Sequence, residues 1–421
     1  MDQFFYKKRQ LYVEGVRIAE IAKTVQTPLY IYSKLAMEIQ FKELVSALSS
    51  VKHKIFYSVK ANSNIAVLKV FQSLGAGMDV VSSGEYERAV VAGVSGENIV
   101  FSGVGKTNSE IQKVISGGIR QFNVESEQEL DLINRLAGEM GRVINISIRV
   151  NPDVNAKTHK KITTGTRSDK FGVSFDQAKM IFEKGKKMKS LSFVGIDMHI
   201  GSQISDLDVF RVSFSRLRSL YLELNTSGYN ISRLDIGGGV GVQNELNGQS
   251  LIPLSDYGDL IFENFKDLDC ELELEPGRLL VGNSGILVSS VLYRKESQGH
   301  KFLIIDAAMN DLMRPALYNA THQITTVRDL SDTPKEVFDV VGPVCETGDT
   351  FQRKVRLPSL DIGDLVALSS SGAYGAVMAS EYNTRPLIPE VLVSDKKFAI
   401  IRKRPTISEI IKRDKIPIWL T

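Results

Sequence analysis

KIFYSVKAN (residues 54–62) begins as a β-strand and ends as something else. Ile55, Phe56, Tyr57 and Val59 suit a pleated, buried strand. Lys60, Ala61 and Asn62 then break the apolar run. A charged ammonium at the end of a buried strand is costly, so Lys60 either points to solvent or is held nearly neutral for a chemical purpose. The same design, a short β-rich run that stops on polar or glycine residues, recurs at GMDVVS (77–82), NIVFSG (98–103), QFNVES (121–126), NISIRVN (145–151), FVGIDMHIG (193–201), RLDIGGG (233–239) and ELELEPG (271–277). Helical patterns separate these runs. NIAVLKVFQSLG places Ile65, Leu68, Val70 and Phe71 on one face, Ser126/Glu129 and Ser174/Gln177 have capping-box spacing, and Gly141 stands where a helix ends.

Eight β-runs alternating with helices predict a (β/α)8 TIM-type barrel, with a doubly wound open sheet as the alternative. Past residue 280 the period changes. GILVSSVLYR, KFLIIDAA, VFDVVGPV, DLVALSSS and KFAIIRKR are strand-like with little helix between them. The expectation is an α/β barrel over 34–280 and a β-rich, sandwich- or barrel-like domain over 281–421. LYVEGVRI (11–18) within residues 1–33 joins that second domain.

The chain has 421 residues, enough for two domains, and its net charge of +3 gives no electrostatic case for a nucleic-acid partner. KGKKMK (184–189) reads as the solvated end of an amphipathic helix. Cys270 and Cys345 make no disulfide framework, which fits a reducing compartment. MDQFFYKKRQ lacks the apolar core of a signal peptide, and no apolar run reaches the roughly 18 residues of a membrane helix. A cytoplasmic location with no membrane partner is expected.

The unusual residues fall at the ends of the runs. Lys60 ends the first, His199 the sixth, Gly237–Gly239 the seventh and Glu275 the eighth. In a barrel those ends converge on the face that carries active sites. Gly237-x-Gly239 is no dinucleotide fingerprint, because position 242 is valine. GVGKT (103–107) is no nucleotide loop, because position 100 is valine. The five histidines have no metal-ligand spacing, so no metal is expected. Glu271 and Glu273 read as a solvated strand face, and Arg278 as a partner of Glu275 or an anion ligand. A lysine able to form a Schiff base, glycines that let amides approach a phosphate, an imidazole face and a carboxylate together suit pyridoxal phosphate.

With those residues in view, the chain resembles the diaminopimelate decarboxylases over nearly its whole length. The resemblance is carried by FYSVKAN (56–62), GMDVVSSGE (77–85), FSGVGKTN (101–108), RVNPDVNAKTH (149–159), DKFGV (169–173), HIGSQI (199–204), LDIGGGVG (234–241), ELEPGR (273–278), DAAMNDLMRPALY (306–318), GPVCETGDTF (342–351) and GAYGAVMASEYN (372–383). It implies an alanine-racemase-like barrel with a β domain, and PLP-dependent decarboxylation of meso-2,6-diaminopimelate to L-lysine and CO2. By position it implies that Lys60 holds the cofactor and His199 stacks on its ring. Glu275 pairs with the ring nitrogen, and Asp79, Ser202, Gly238, Gly239, Gly277, Arg278 and Tyr374 complete the cofactor site. Arg278, Arg314, Tyr318, Glu346 and Tyr374 bind substrate, and Cys345 is the proton donor. Cys345 and Glu346 come from the second subunit of a homodimer, whose active sites lie at the interface. The polar stretch 158–172 has the character of a closing loop. Two departures stand out: Ala307 where the family usually has glycine, and RPLI (385–388) where it usually has RPRP. Taken alone, Cys345 would read as a small buried hydrophobe and Arg314/Tyr318 as a helix-surface pair. A decarboxylase of ornithine, arginine or lysine is the nearest alternative. A racemase and a non-catalytic cofactor-binding barrel are more distant ones. Arg278 with Arg314, and Glu346 rather than aspartate, favour diaminopimelate.

Overall fold

The computed structural model describes residues 3–154, 170–242 and 251–420. These divide into two compact units, one of residues 38–242 with 251–280 and one of residues 3–37 with 281–420. In the second unit β1 (Phe4–Lys7), β2 (Gln10–Val13) and β3 (Val16–Arg17) make an antiparallel sheet, and the fully buried β4 (Leu29–Ser33) follows.

The first unit is a closed barrel of eight parallel strands. They are β5 (His53–Ser58), β6 (Gly77–Val80), β7 (Ile99–Phe101), β8 (Gln121–Val124), β9 (Ile144–Arg149), β10 (Leu191–Asp197), β11 (Arg233–Asp235) and β12 (Glu271–Leu274), with β12 pairing back onto β5. All eight quoted runs contribute a strand. A crossover helix sits between each successive pair, from Ile65–Ser73 to Leu254–Phe265. Each helix covers the outer face of its strands, so β6, β7 and β8 are buried at every residue.

The barrel interior is polar along its length. Arg120 donates to Glu271 and Glu273 at 2.6 Å, and Gln121 donates to Glu273 at 2.9 Å and to Asn123 at 3.0 Å. Asn123 in turn donates to Glu275 at 3.0 Å. Glu271 and Glu273 are therefore no solvated face. Their alternation points them inward, and Glu273 is fully buried. The reason is topological: in a parallel barrel the helices claim the outer face, so the polar half of an alternating strand has only the lumen.

Local expectations met the same tertiary pressures. Ser174 and Gln177 form a complete capping box, and Gly141 follows its helix at φ +63°. Ser126 accepts the Glu129 amide, but the Glu129 carboxylate turns instead to the Glu125 amide and Lys106. On the Ile65–Ser73 helix Val67 is buried and Ile65 is exposed. The lysines after the Phe175–Gly185 helix are solvated.

After the barrel come β13 (Gly285–Ser297), β14 (His300–Ile305), β15 (Ile324–Thr326), β16 (Lys335–Val341), β17 (Thr350–Pro358), β18 (Leu365–Leu368), β19 (Glu390–Ser394) and β20 (Lys397–Arg402). The larger sheet runs β17-β16-β14-β13-β4-β19-β20, with β18 also on β13 and β15 on β18. Val13, Ile18, Ile21, Leu29, Ile31, Ile286, Val288, Val391 and Val393 form its apolar core.

Candidate active site

Lys60 lies just past β5, in the short turn Val59–Ala61. Its ammonium donates to Asp79, at the end of β6, at 2.8 Å, and its side chain is 33% exposed. Burial acts to raise the Asp79 carboxyl, but Lys60 and the hydroxyls of Ser58 and Ser102 take it below its ordinary value. The lysine thus sits as half of a charged pair rather than in the apolar, uncharged setting expected of a strand residue. The strand ends before it, and water reaches the space beyond.

Glu275 leaves β12 into the barrel mouth. Its Oε1 accepts from Ser102 at 3.1 Å and from Asn123 at 3.0 Å. Burial, then the nearby Asp79 charge, pushes its carboxyl up to about 7 against the opposing pull of Lys60 and Arg149. Ser58 ties the Glu275 backbone to the partner of the lysine: its hydroxyl lies 2.9 Å from the Asp79 carboxylate and 3.0 Å from the Glu275 main-chain carbonyl.

His199 follows β10. Its Nδ1 accepts the Gly238 amide at 3.3 Å, so a neutral ring carries its proton on Nε2. Burial, with the charges of Arg149 and Lys60, takes it down to about 3, and the imidazole is neutral across the physiological range. The glycines are required by close approach. A Cβ on Gly238 would stand 2.4 Å from the Glu275 carbonyl oxygen, and one on Gly239, at φ +105°, 2.3 Å from that of Gly201. Gly277 packs on the lysine turn, where a Cβ would be 2.9 Å from Ala61 Cβ. Arg278 opens the short helix that follows, and a bridge between Ile204 and Val240 ties the segment holding Ser202 to the glycine turn. The barrel thus brings Lys60, Asp79, His199, Ser202, Gly238, Gly239, Glu275, Gly277 and Arg278 to its C-terminal end.

Several polar residues here escaped the sequence reading. Ser102 and Asn123 hold Glu275. Arg149 pairs with buried Glu125 at 2.9 Å, and Glu125 also accepts the Gly103 and Gly172 amides. Asp197 and Asp235 stand at the ends of β10 and β11. Burial raises both well above the usual carboxylate range, with Glu275 adding to the effect on Asp235. The signal was available: each is a polar residue at the C-terminal end of a buried run. Lys106 of the GVGKT stretch has a structural task, since its buried ammonium donates to the Gly103 and Asn123 carbonyls and to Glu129.

Cys345, Glu346, Arg314, Tyr318 and Tyr374 all belong to the β unit. Cys345 is exposed, not a buried hydrophobe, in the turn between β16 and β17, and the adjacent Glu346 accepts the Tyr382 hydroxyl. Arg314 is buried at the start of the Arg314–Tyr318 helix, 5.8 Å from the Tyr318 ring centre, so the two are not a surface pair. Tyr374 holds a left-handed backbone, φ +55°. Residues 158–169 of the expected closing loop lie outside the described residues.

A family model described as "Pyridoxal-dependent decarboxylase, pyridoxal binding domain" matches residues 36–282. A diaminopimelate decarboxylase of Pseudomonas aeruginosa is 43% identical, covering 97% of this chain and 98% of that one. Among solved structures, diaminopimelate decarboxylase from Helicobacter pylori complexed with L-lysine superposes with a TM-score of 0.90 at 39% identity, covering 94% of this chain and 98% of that one. The diaminopimelate decarboxylase from M. jannaschii, in co-complex with L-lysine, reaches a TM-score of 0.94 at 35% identity, covering 100% of this chain and 99% of that one.

Proposed function

This chain belongs to the diaminopimelate decarboxylases, a family of pyridoxal-dependent carboxy-lyases, and on that premise we infer that it decarboxylates meso-2,6-diaminopimelate to L-lysine and CO2. The observation that carries the reading is the barrel mouth itself. There the Lys60 amine is paired with Asp79, Ser58 bridges that carboxylate to the Glu275 main-chain carbonyl, and the Glu275 carboxyl is clamped by Ser102 and Asn123, beside a neutral His199 and a glycine turn.

The residues present fit pyridoxal phosphate. Lys60 offers an amine for its aldehyde, Glu275 a carboxyl for its ring nitrogen and His199 an uncharged face for its ring. The glycine turn, Ser202, Gly277, Arg278 and Tyr374 are assigned to its phosphate. When bound, the cofactor supplies an electron sink for the bond that breaks. The chain does the rest. Paired with that nitrogen, an ionised Glu275 carboxylate would keep a proton on the ring. Asp79 accepts from the lysine and keeps its nitrogen aimed at the mouth. Arg278 and Arg314 bind the two carboxylates of the substrate, with Tyr318 beside Arg314. Glu346, oriented by Tyr382, pairs with the distal ammonium. Cys345 delivers the proton to the carbon that lost CO2. Incubating the protein with meso-diaminopimelate and the cofactor should release L-lysine and CO2 in equal amounts. CO2 without lysine, or no turnover, would overturn the reading.

The working form is a homodimer in which each barrel is completed by Cys345 and Glu346 of the second copy, and its location is the cytoplasm. The support is the family resemblance and the exposure of both residues on the β unit. Among the described residues, no helix is long and apolar enough to cross a membrane. Shared sites have a direct consequence. Lys60→Ala and Cys345→Ala, each nearly inactive alone, should regain about 25% of wild-type activity when subunits are exchanged between them, because half the dimers are mixed and each of those has one intact site. No recovery under confirmed exchange would place Cys345 in the same site as its own Lys60.

A further inference from the structure

Asp349 closes the turn that carries Cys345 and Glu346, and it does so from a buried position, 2% exposed. Its two carboxylate oxygens are taken by main-chain amides from different segments. Oδ1 accepts from Met309 at 2.7 Å and Oδ2 from Val344 at 2.6 Å. Val344 directly precedes Cys345. Met309 lies in the DAAMNDLM stretch that runs into the helix of Arg314 and Tyr318. The turn tightens on the same residue: the Asp349 amide donates to the Glu346 carbonyl at 3.0 Å and the Gly342 amide to the Asp349 carbonyl at 3.1 Å. Gly342 leaves room for the carboxylate, since a Cβ there would stand 2.4 Å from both of its oxygens.

We propose that Asp349 is a positioning residue for the decarboxylation, the joint that fixes the Cys345–Glu346 turn against the segment bearing Arg314 and Tyr318. This rests on the reading that those four residues serve the site. A carboxylate is suited to the task because it accepts on both oxygens and donates on neither. Asparagine keeps the shape but turns an NH2 toward one of the two amides, leaving a buried donor unpaired and repelled. The turn and the Arg314 segment then separate. Proton delivery and recognition of the distal ammonium suffer together, while the cofactor-holding residues of the barrel are untouched.

The test compares Asp349→Asn with wild-type holoenzyme in three readouts: cofactor absorbance, kcat and KM for meso-diaminopimelate, and amide exchange of peptides covering 306–313 and 342–350. The expected result is unchanged absorbance, kcat down about tenfold or more, KM raised, and exchange at Met309 and Val344 accelerated at least about tenfold. Gly342→Ala, which presses on the same carboxylate, should give a milder version of the same pattern and stands in if the asparagine variant does not fold. Faster exchange with unchanged kcat and KM would reduce Asp349 to a local turn residue, and unchanged exchange would show that its carboxylate does not hold the two amides. Either result overturns the proposal. Cys345→Ala and Glu346→Gln are assayed in parallel. Wild-type kinetics in those two would sink the site assignment itself, a failure distinct from that of Asp349.

Discussion

Lys60→Ala is expected to lower kcat by about four orders of magnitude or more and to abolish the visible absorption band of the bound cofactor. The lysine is the amine placed at the barrel mouth within reach of Glu275, Asp79 and the glycine turn, and its loss removes the covalent anchor and the group that frees the product. The pairing with Asp79 at 2.8 Å raises a competing role, that of a structural cation. Lys60→Arg separates the two. Arginine can keep a charge beside Asp79 but stays protonated and cannot attack a carbonyl. An arginine variant as inactive as the alanine one, with a normal folding midpoint, is the expected outcome. Substantial activity with arginine would mean that the amine is not the nucleophile.

Glu275→Gln should cut kcat by about 10²–10³-fold, the usual effect of removing one charged partner from a preorganised site. It has a second, independent signature in the cofactor-free protein. The carboxyl stands at about 7 in the folded chain against an ordinary 4.5, so the folded state holds a proton that the unfolded state has released between those values. The group's contribution to stability is present below about 4.5 and is lost as pH climbs through about 7. Glutamine has no such dependence. Cofactor-free Glu275→Gln should therefore unfold at higher denaturant concentration than wild type at pH 8, with the gap closing by pH 5. A gap independent of pH would mean that Glu275 is ionised in the empty-handed barrel and that burial is not its governing influence.

The barrel was legible because its period is repetitive: eight runs, each long enough to show alternation or continuous burial, and each ended by a residue that a strand would not choose. The same feature exposed Lys60, His199, the glycines and Glu275, which are conspicuous for being out of place in an apolar run. Ser102 and Asn123 were not conspicuous, since a serine or asparagine at a strand end passes for a turn residue. Only barrel closure, which sets β7 and β8 across from β12, turns them into the clamp on Glu275. Glu273 misled for the same reason: alternation says that two faces differ but not which one meets water. In the β unit, TFQRKVRLP of β17 was overlooked because its charged residues face outward on an edge strand, and LYIYS of β4 because a short buried run carries no period of its own. Cys345, Glu346, Arg314 and Tyr374 had no physical signal in the residues alone. Their roles came through family resemblance, and Asp349, which links two of those segments, became visible only through its hydrogen bonds.

The most direct test of the decarboxylase assignment is a comparison of kcat/KM for meso-diaminopimelate, ornithine, arginine and L-lysine, using the purified protein with pyridoxal phosphate. A site built around two carboxylates and a distal ammonium should favour meso-diaminopimelate by about 10³-fold or more over each of the others. Ornithine, arginine or lysine turning over as efficiently would contradict it.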